Sequence, residues 1–148
     1  SQAPNHIFRE WAEAGNFRSD LKILRGETTY GNSRFDFYWE DSEKRGFVEI
    51  KGVTLERDGV AYFPDAPTQR GVKHLHHLTQ AVREGYRAAV LFIIQMEEIA
   101  AIRPNDTTHP AFGEALRQAA AAGVEIWAVD CCVTPDSLAH RHPVPVEL

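Results

Sequence analysis

Two stretches in the first third of the chain alternate between apolar and polar residues, the pattern of β-strands with one buried face. In the first, over residues 33–39, one face is expected to carry Phe35, Phe37 and Trp39 and the other Arg34, Asp36 and Tyr38. In the second, over residues 45–51, Val48 and Ile50 point one way, and Glu49 and Lys51 point the other. The charged segment 40–44 between them predicts a turn, so the two strands are expected to form an antiparallel hairpin.

The remaining hydrophobic pattern predicts helices and further strands around this hairpin. Apolar stripes predict helices over 5–15, with Asn5 as N-cap, 69–84 and 110–122. Strands are predicted over 21–25, 60–63, 88–94 and 124–129, whereas 26–32 and 97–108 are expected to be turns or irregular, and 144–146 an edge segment of a proline-punctuated tail. The final strand–helix–strand unit predicts a parallel crossover. The chain is therefore predicted to be an α/β protein with an αβββαβ core, a mixed sheet flanked by helices.

The hairpin brings acidic and basic side chains together if its register places Asp36 beside Glu49. Two carboxylates a few ångströms apart repel each other by about 4 kcal/mol at a surface-like dielectric constant. A cation relieves this repulsion, and Mg²⁺ needs only one or two protein carboxylates because water and phosphate complete its shell. Lys51 could then assist an attacking water and stabilise negative charge on phosphate. The alternative is an ordinary Glu–Lys pair on a solvated sheet face.

An acidic residue on one strand followed by Glu-x-Lys on the next resembles the PD-(D/E)xK nuclease superfamily. Longer segments look like the sugar fermentation stimulation protein A family, namely residues 30–37, 48–55, 63–75 and the two ends of the tail, 133–135 and 145–148. The resemblance runs from Pro4 to the end of the chain. It implies a restriction-endonuclease-like fold, with Asp36, Glu49 and Lys51 as catalytic residues and the two carboxylates as ligands of Mg²⁺ or Mn²⁺.

Two features depart from the family pattern. Family members usually carry an N-terminal OB-like domain, a fold used for contacts with nucleic acid. This chain is expected to hold a single nuclease-like domain over residues 1–148 without that domain, as a fragment or a short homologue. Gly52 stands where a small polar residue is expected after the lysine, which leaves one hydrogen bond to phosphate open.

The first predicted helix supplies a further candidate ligand. Many PD-(D/E)xK proteins use a glutamate of this helix to bind a metal ion or its water, and by this resemblance Glu10 is the candidate here. The alternative is a solvated helix carboxylate.

The second predicted helix supplies candidate contacts to nucleic acid. Arg70 and Lys73 lie one turn apart near its N-terminus, where free N–H groups attract phosphate. They could track a nucleic-acid backbone together with Arg34 and with His74, which is expected on a flanking or outer face; solvated helix charges are the alternative. Zinc binding by His74 and its neighbours is rejected, since adjacent helix positions diverge by about 100° and no Cys or carboxylate completes a set.

Charge and composition limit the partners and the cellular location that we expect for the chain. The net charge of −5 does not indicate a general nucleic-acid-binding surface, so a basic patch must be local. No apolar run approaches the length of a membrane span, and Ser1 to Gly15 lack a signal-peptide pattern, which favours the cytoplasm and no membrane partner. Cys131 and Cys132 are adjacent and are expected to be buried thiols at a strand end.

Three functions remain open at this point. The first is a Mg²⁺- or Mn²⁺-dependent nuclease acting through Asp36, Glu49 and Lys51. The second is a DNA-binding transcriptional regulator that needs no cleavage, since family members are regarded as DNA-binding and are named for an effect on sugar (maltose) utilisation. The third is an interaction domain with neither activity. Nucleic acid, with DNA favoured, is the expected partner, and a homodimer is left open.

Overall fold

Helices on both sides of a central β-sheet form the body of the protein, seen in a computed structural model that describes residues 2–148. The helices are α1 (Gln2–Glu13), α2 (Gln69–Arg83) and α3 (Pro110–Ala122). The strands are β1 (Ile23–Tyr30), β2 (Ser33–Glu40), β3 (Arg45–Val53), β4 (Leu55–Arg57), β5 (Val60–Phe63), β6 (Arg87–Ile94), β7 (Ala101–Pro104), β8 (Glu125–Val133) and β9 (Leu138–Pro143). In this part of the chain, no helix combines the length and the apolar character that crossing a membrane requires.

The large sheet has six strands in the order β1-β2-β3-β6-β8-β9, and its central strand β6 is buried on both faces. Along β6, Val90 and Phe92 belong to the core beneath α2 and α3, whereas Leu91 and Ile93 belong to the core beneath α1. This continuous apolar run is what a strand covered on both sides requires. Strands β4, β5 and β7 form a second, smaller sheet.

The predicted αβββαβ order is confirmed. β1, β2 and β3 form an antiparallel meander, and β3 then pairs in parallel with β6. β6 and β8 are parallel and joined through α3, which is the predicted crossover. β3 therefore lies inside the sheet, and its polar residues are held between two neighbouring strands.

Two segments predicted as turns or irregular structure contain strands instead, and the tail contains a strand that was not predicted. β1 continues to Tyr30 through the predicted turn because residues 28–30 pair with β2. β7 forms within 97–108, where it pairs with β5. β9 forms in the tail, where the buried Asp130 carboxylate accepts hydrogen bonds from the Arg141 side chain at 2.7 Å and from the His142 backbone at 2.9 Å. Each strand depends on partners distant in the sequence, which local patterns do not show.

The pleat of β2 is interrupted at Asp36. Phe35 belongs to the core beneath α2, whereas Phe37 and Trp39 belong to the core beneath α1, so the prediction that these three rings share one face is wrong. The neighbouring strand is irregular at the same level, since Glu27, opposite Asp36, has a φ of 45°. The interruption removes Asp36 from the regular alternation of the strand.

The two cysteines differ in exposure. Cys131 is buried, as predicted, but Cys132 is exposed, so the prediction of two buried thiols is wrong for the second. Burial, with a smaller contribution from the Asp130 charge, raises the pKa of the Cys131 thiol to about 12. This thiol is therefore inert near neutral pH.

Candidate active site

Asp36, Glu49 and Lys51 meet where β2 and β3 separate. The backbone ladder between the strands ends just before these residues, and the two carboxylates replace carbonyl groups as acceptors. Glu49 Oε1 accepts the backbone N–H of Asp36 at 3.2 Å, and Asp36 Oδ2 accepts the backbone N–H of Ile50 at 2.8 Å. Lys51 Nζ lies 3.5 Å from Glu49 Oε2. The hairpin thus brings together the three residues that the sequence singled out.

Helix α2 adds His74 to this cluster. Its Nδ1 lies 2.6 Å from Glu49 Oε2 and 3.0 Å from Lys51 Nζ. The His74 side chain is only 11% exposed, so the prediction that it lies on a flanking or outer face of the helix is wrong. Helical periodicity contained the missed signal, since the buried positions of α2 follow an i, i+3, i+4, i+7 series, namely Gly71, His74, Leu75 and Leu78.

The start of α2 is fixed by capping contacts, which in turn fix His74. Thr68 is the N-cap, and its Oγ1 accepts the Gly71 N–H at 2.9 Å. The Thr68 N–H donates to Nδ1 of His109, the residue before α3, at 3.0 Å. An N-cap of this kind stabilises a helix by about 1 kcal/mol. The two helices are therefore tied together where α2 approaches the site.

Asp36 is also reached from the opposite side of the sheet. Nδ2 of Asn5, on α1, donates to Asp36 Oδ1 at 3.3 Å. Because α1 begins at Gln2, Asn5 lies within the helix, and its prediction as the N-cap is wrong. An open cavity of about 300 Å³ on this side has Asn5, His6, Arg9 and Asp36 in its lining. Asp36 is thus held between α1 and β3.

The two carboxylates have pKa values shifted in opposite directions. Burial, and next the charge of Glu49, raises the pKa of Asp36. Burial also acts to raise the pKa of Glu49, but the hydrogen bond from His74 and the charge of Lys51 outweigh it, so this pKa is lowered. Burial lowers the pKa of Lys51 more than the charges of Glu49 and Asp36 raise it. In the metal-free protein, Asp36 is the member of the pair whose charge is poorly compensated.

We expect Asp36→Asn to stabilise the metal-free protein at pH 7, by about 0.5–2 kcal/mol. A group whose pKa is raised by folding destabilises the native state above that pKa, and the penalty disappears as the pH falls and the group takes up a proton. The amide removes this charge and still accepts the Ile50 N–H. Urea unfolding in EDTA measures the effect.

Glu49 serves as the comparison, because its ionised carboxylate is expected to stabilise the folded protein rather than to destabilise it. Its lowered pKa stabilises the folded protein above the pKa of the unfolded chain, and this contribution is lost as the pH falls through the folded-state pKa. Glu49→Gln should therefore destabilise the protein in the same assay. If Asp36→Asn and Glu49→Gln destabilised the protein equally, the conclusion that only the Asp36 charge is poorly compensated would be wrong.

A basic groove opens beside the cluster, between the start of β2 and α2. It has a volume of about 490 Å³ and is lined by Asn32, Arg34, Gln69, Arg70, Lys73, His74 and His77. The four residues predicted to contact nucleic acid therefore lie together. Arg70 is close enough to Lys51 for its positive charge to contribute to the lowered pKa of that ammonium. The groove leads to the Glu49–Lys51 cluster through His74.

Glu10 is not brought into the cluster. Its carboxylate pairs with His6 on the same helix, with Oε1 2.8 Å from Nε2, and its side chain is 53% exposed. Across residues 2–148, no group of three His, Cys, Asp or Glu side chains is arranged to hold a metal ion. Asp36 and Glu49 are the two predicted ligands that lie together, and the role of Glu10 stays a prediction.

A protein-family model described as the sugar fermentation stimulation protein RE domain matches residues 2–137. This chain belongs to the sugar fermentation stimulation protein family. The family predicted from the sequence is therefore confirmed.

Relatives within the sugar fermentation stimulation protein family match the chain over its whole length. A homolog from Desulfitobacterium hafniense (strain DSM 10664 / DCB-2) is 56% identical over 148 residues, which are 100% of this chain and 64% of that protein. A homolog from Clostridium beijerinckii is 49% identical over 148 residues, or 100% of this chain and 66% of that protein. The chain thus spans just under two thirds of the length of these relatives.

The fold is shared with a solved structure of the same family, that of Pyrococcus furiosus SfsA in complex with Ca²⁺. The TM-score is 0.85 at 29% sequence identity, and the match covers 97% of this chain and 62% of the other. The predicted restriction-endonuclease-like fold, a mixed sheet flanked by helices, is confirmed.

Proposed function

We propose that this domain of the sugar fermentation stimulation family hydrolyses phosphodiester bonds in DNA with the help of a divalent cation. The observation that carries the proposal is the meeting of the Asp36 and Glu49 carboxylates, with Lys51 Nζ 3.5 Å from Glu49, beside a groove lined with basic residues. Carboxylates suit a hard cation, and the basic groove suits the phosphates that the cation would activate.

The two carboxylates fit Mg²⁺ or Mn²⁺. Each carboxylate oxygen has two lone pairs, so oxygens that already accept one hydrogen bond can still bind a cation. A cation beside Asp36 would also relieve the repulsion from Glu49 that helps to raise the pKa of Asp36. The relative from Pyrococcus furiosus was solved in complex with Ca²⁺, which prefers the same oxygen ligands, and this supports the proposal.

The residues of the chain have distinct roles in this proposal. When bound, the cation supplies Lewis-acid stabilisation of charge on the phosphate oxygens. Lys51 projects on the same side of β3 as Glu49, where its ammonium can hydrogen-bond the attacking water or neutralise charge that develops on the phosphate. Burial lowers its pKa, which makes the ammonium a better proton donor. Arg70 and Lys73 in the groove hold the phosphates on either side of the scissile bond.

A metal titration of cleavage tests the proposal. The purified chain is incubated with plasmid, single-stranded and structured DNA at increasing Mg²⁺ or Mn²⁺, with EDTA and Asp36→Ala as references. We expect cleavage that rises with the cation and disappears in both references, because Asp36 is one of the two ligands. Cleavage that persists equally in EDTA or in Asp36→Ala would overturn the site.

A DNA-binding regulator without cleavage is the second candidate. The contacts within the cluster favour this candidate. Lys51 and His74 already contact Glu49, so the negative charge of Glu49 is compensated without a cation. In this case the basic groove alone would bind DNA, and the cellular role would be regulation of sugar (maltose) utilisation.

Charge reversal in the groove tests DNA binding separately from cleavage. We expect Arg70→Glu combined with Lys73→Glu to weaken DNA binding and to reduce the slope of log K against log salt by about 2, roughly 0.9 for each lost phosphate contact. Affinity measured from 50 to 200 mM salt gives the slope. Lys22→Glu combined with Lys44→Glu changes the net charge equally at exposed positions outside the groove and is the control. An equal loss in both double variants would argue against the groove.

A further inference from the structure

We propose that His74 is a positioning residue that binds the Glu49 carboxylate and thereby keeps the Lys51 ammonium from closing onto it, rather than a contact to the nucleic-acid backbone. This inference rests on the proposed function, because it adds one residue to the same site. It differs from the sequence-based interpretation, which placed His74 with Arg70 and Lys73 as a phosphate ligand.

Burial separates His74 from the other residues of the basic groove. Its side chain is 11% exposed, whereas Arg34, Arg70 and Lys73 are exposed. Its Nδ1 is directed at the cluster, with Glu49 Oε2 at 2.6 Å and Lys51 Nζ at 3.0 Å. Because Nδ1 of His74 faces these two side chains, His74 is placed to act on them rather than on a phosphate in the groove.

The contacts of Glu49 show what His74 does. Oε1 accepts the Asp36 N–H at 3.2 Å, and Oε2 has His74 at 2.6 Å and Lys51 at the longer distance of 3.5 Å. Donors on both oxygens fix the plane of the carboxylate. Without His74, Oε2 would keep only Lys51, and the ammonium would close onto it as a tight ion pair. Both groups would then leave the positions from which they can act on phosphate and water.

The contact with Glu49 places a hydrogen on Nδ1 of the imidazole. A carboxylate only accepts hydrogen bonds, so Nδ1 must bear a hydrogen when it binds Glu49. The Lys51 ammonium, 3.0 Å away, is also a donor and therefore does not hydrogen-bond to this nitrogen. The ¹⁵N shifts of the imidazole ring report the hydrogen on Nδ1 directly, without any enzymatic assay, and Glu49→Gln should shift the ring toward the Nε2–H tautomer.

Three substitutions of His74 separate positioning from phosphate contact. We expect His74→Ala to weaken Mn²⁺ binding and to lower kcat for DNA cleavage by about 10- to 100-fold, the loss typical when a hydrogen-bond partner of a metal ligand is removed, with KM for DNA unchanged. His74→Asn should recover most of both, because its amide nitrogen can occupy the place of Nδ1, whereas the longer side chain of His74→Gln should not. His76→Ala, at an exposed position of the same helix, is the control and should match the wild type.

Each outcome decides the proposal. Equal losses in the alanine and asparagine variants, with a raised KM and a flatter salt dependence of DNA binding, would overturn it in favour of phosphate contact. If the wild type cleaves no DNA with any cation, the proposed function fails, and the Mn²⁺ affinities and the tautomer still decide the role of His74. An Nε2–H tautomer that Glu49→Gln leaves unchanged would overturn the inference. If the alanine variant does not fold, the asparagine variant and the wild-type spectrum give the answer.

Discussion

Asp36→Ala and Glu49→Ala are each expected to reduce DNA cleavage to background and to abolish Mn²⁺ binding at this site. The physical reason is that these two carboxylates are the predicted ligands that the hairpin brings together, and each is fixed by a backbone N–H of the neighbouring strand. Mg²⁺ dehydrates reluctantly, so in the absence of DNA phosphates we expect a single remaining carboxylate to be too few ligands to hold the ion. Calorimetric titration with Mn²⁺, alongside the cleavage assay, measures both losses.

Glu43→Ala is the matched control for these variants, since it removes a carboxylate from the exposed hairpin turn. Retention of full Mn²⁺ affinity in either site variant would place the ion elsewhere. Circular dichroism at the assay temperature shows whether a variant that no longer binds Mn²⁺ is still folded.

Lys51→Ala is expected to spare Mn²⁺ binding and to lower kcat by about 10²–10⁴-fold, the range for removal of a general acid–base group. Lys51 is not a metal ligand, because an ammonium has no lone pair. Its Nζ lies 3.5 Å from Glu49 and 3.0 Å from His74, so it is positioned beside the carboxylate that would hold the ion. Single-turnover cleavage at saturating Mg²⁺ measures the chemical step, and Mn²⁺ titration measures the affinity.

Lys73→Ala is the comparison for Lys51→Ala, because it removes the same charge from the exposed side of the groove. We expect Lys73→Ala to act mainly on DNA affinity and Lys51→Ala mainly on the rate at saturation. If Lys51→Ala instead changed only the affinity for DNA, Lys51 would be one more phosphate contact.

The central hairpin could be predicted from the sequence because it depends on residues that are close together in the chain. Alternation along β3 places Glu49 and Lys51 on one face, and the polar turn fixes which strand lies beside it. The apolar run of β6 likewise identifies a strand buried on both faces without reference to any other element. The fold class follows from such segments taken in order.

The rest of the site depends on contacts between elements that are distant in the chain. His74 reaches Glu49 only because α2 packs across β3, and Asn5 reaches Asp36 only because α1 covers the other face. The break in the pleat of β2 lies beside Glu27 of the neighbouring strand, whose φ is 45°. Alternation along a single strand does not show such a break, so the common face predicted for Phe35 and Phe37 was wrong.

Where β2 and β3 part, two main-chain amides, those of Asp36 and Ile50, donate to carboxylates instead of carbonyls. Protons in such charge-assisted bonds resonate downfield of ordinary sheet amides, and their shifts respond when the acceptor charge changes. A two-dimensional ¹H–¹⁵N spectrum therefore offers a pair of built-in reporters, one for each acid. Occupancy of the site can be followed from these two signals with no nucleic acid present.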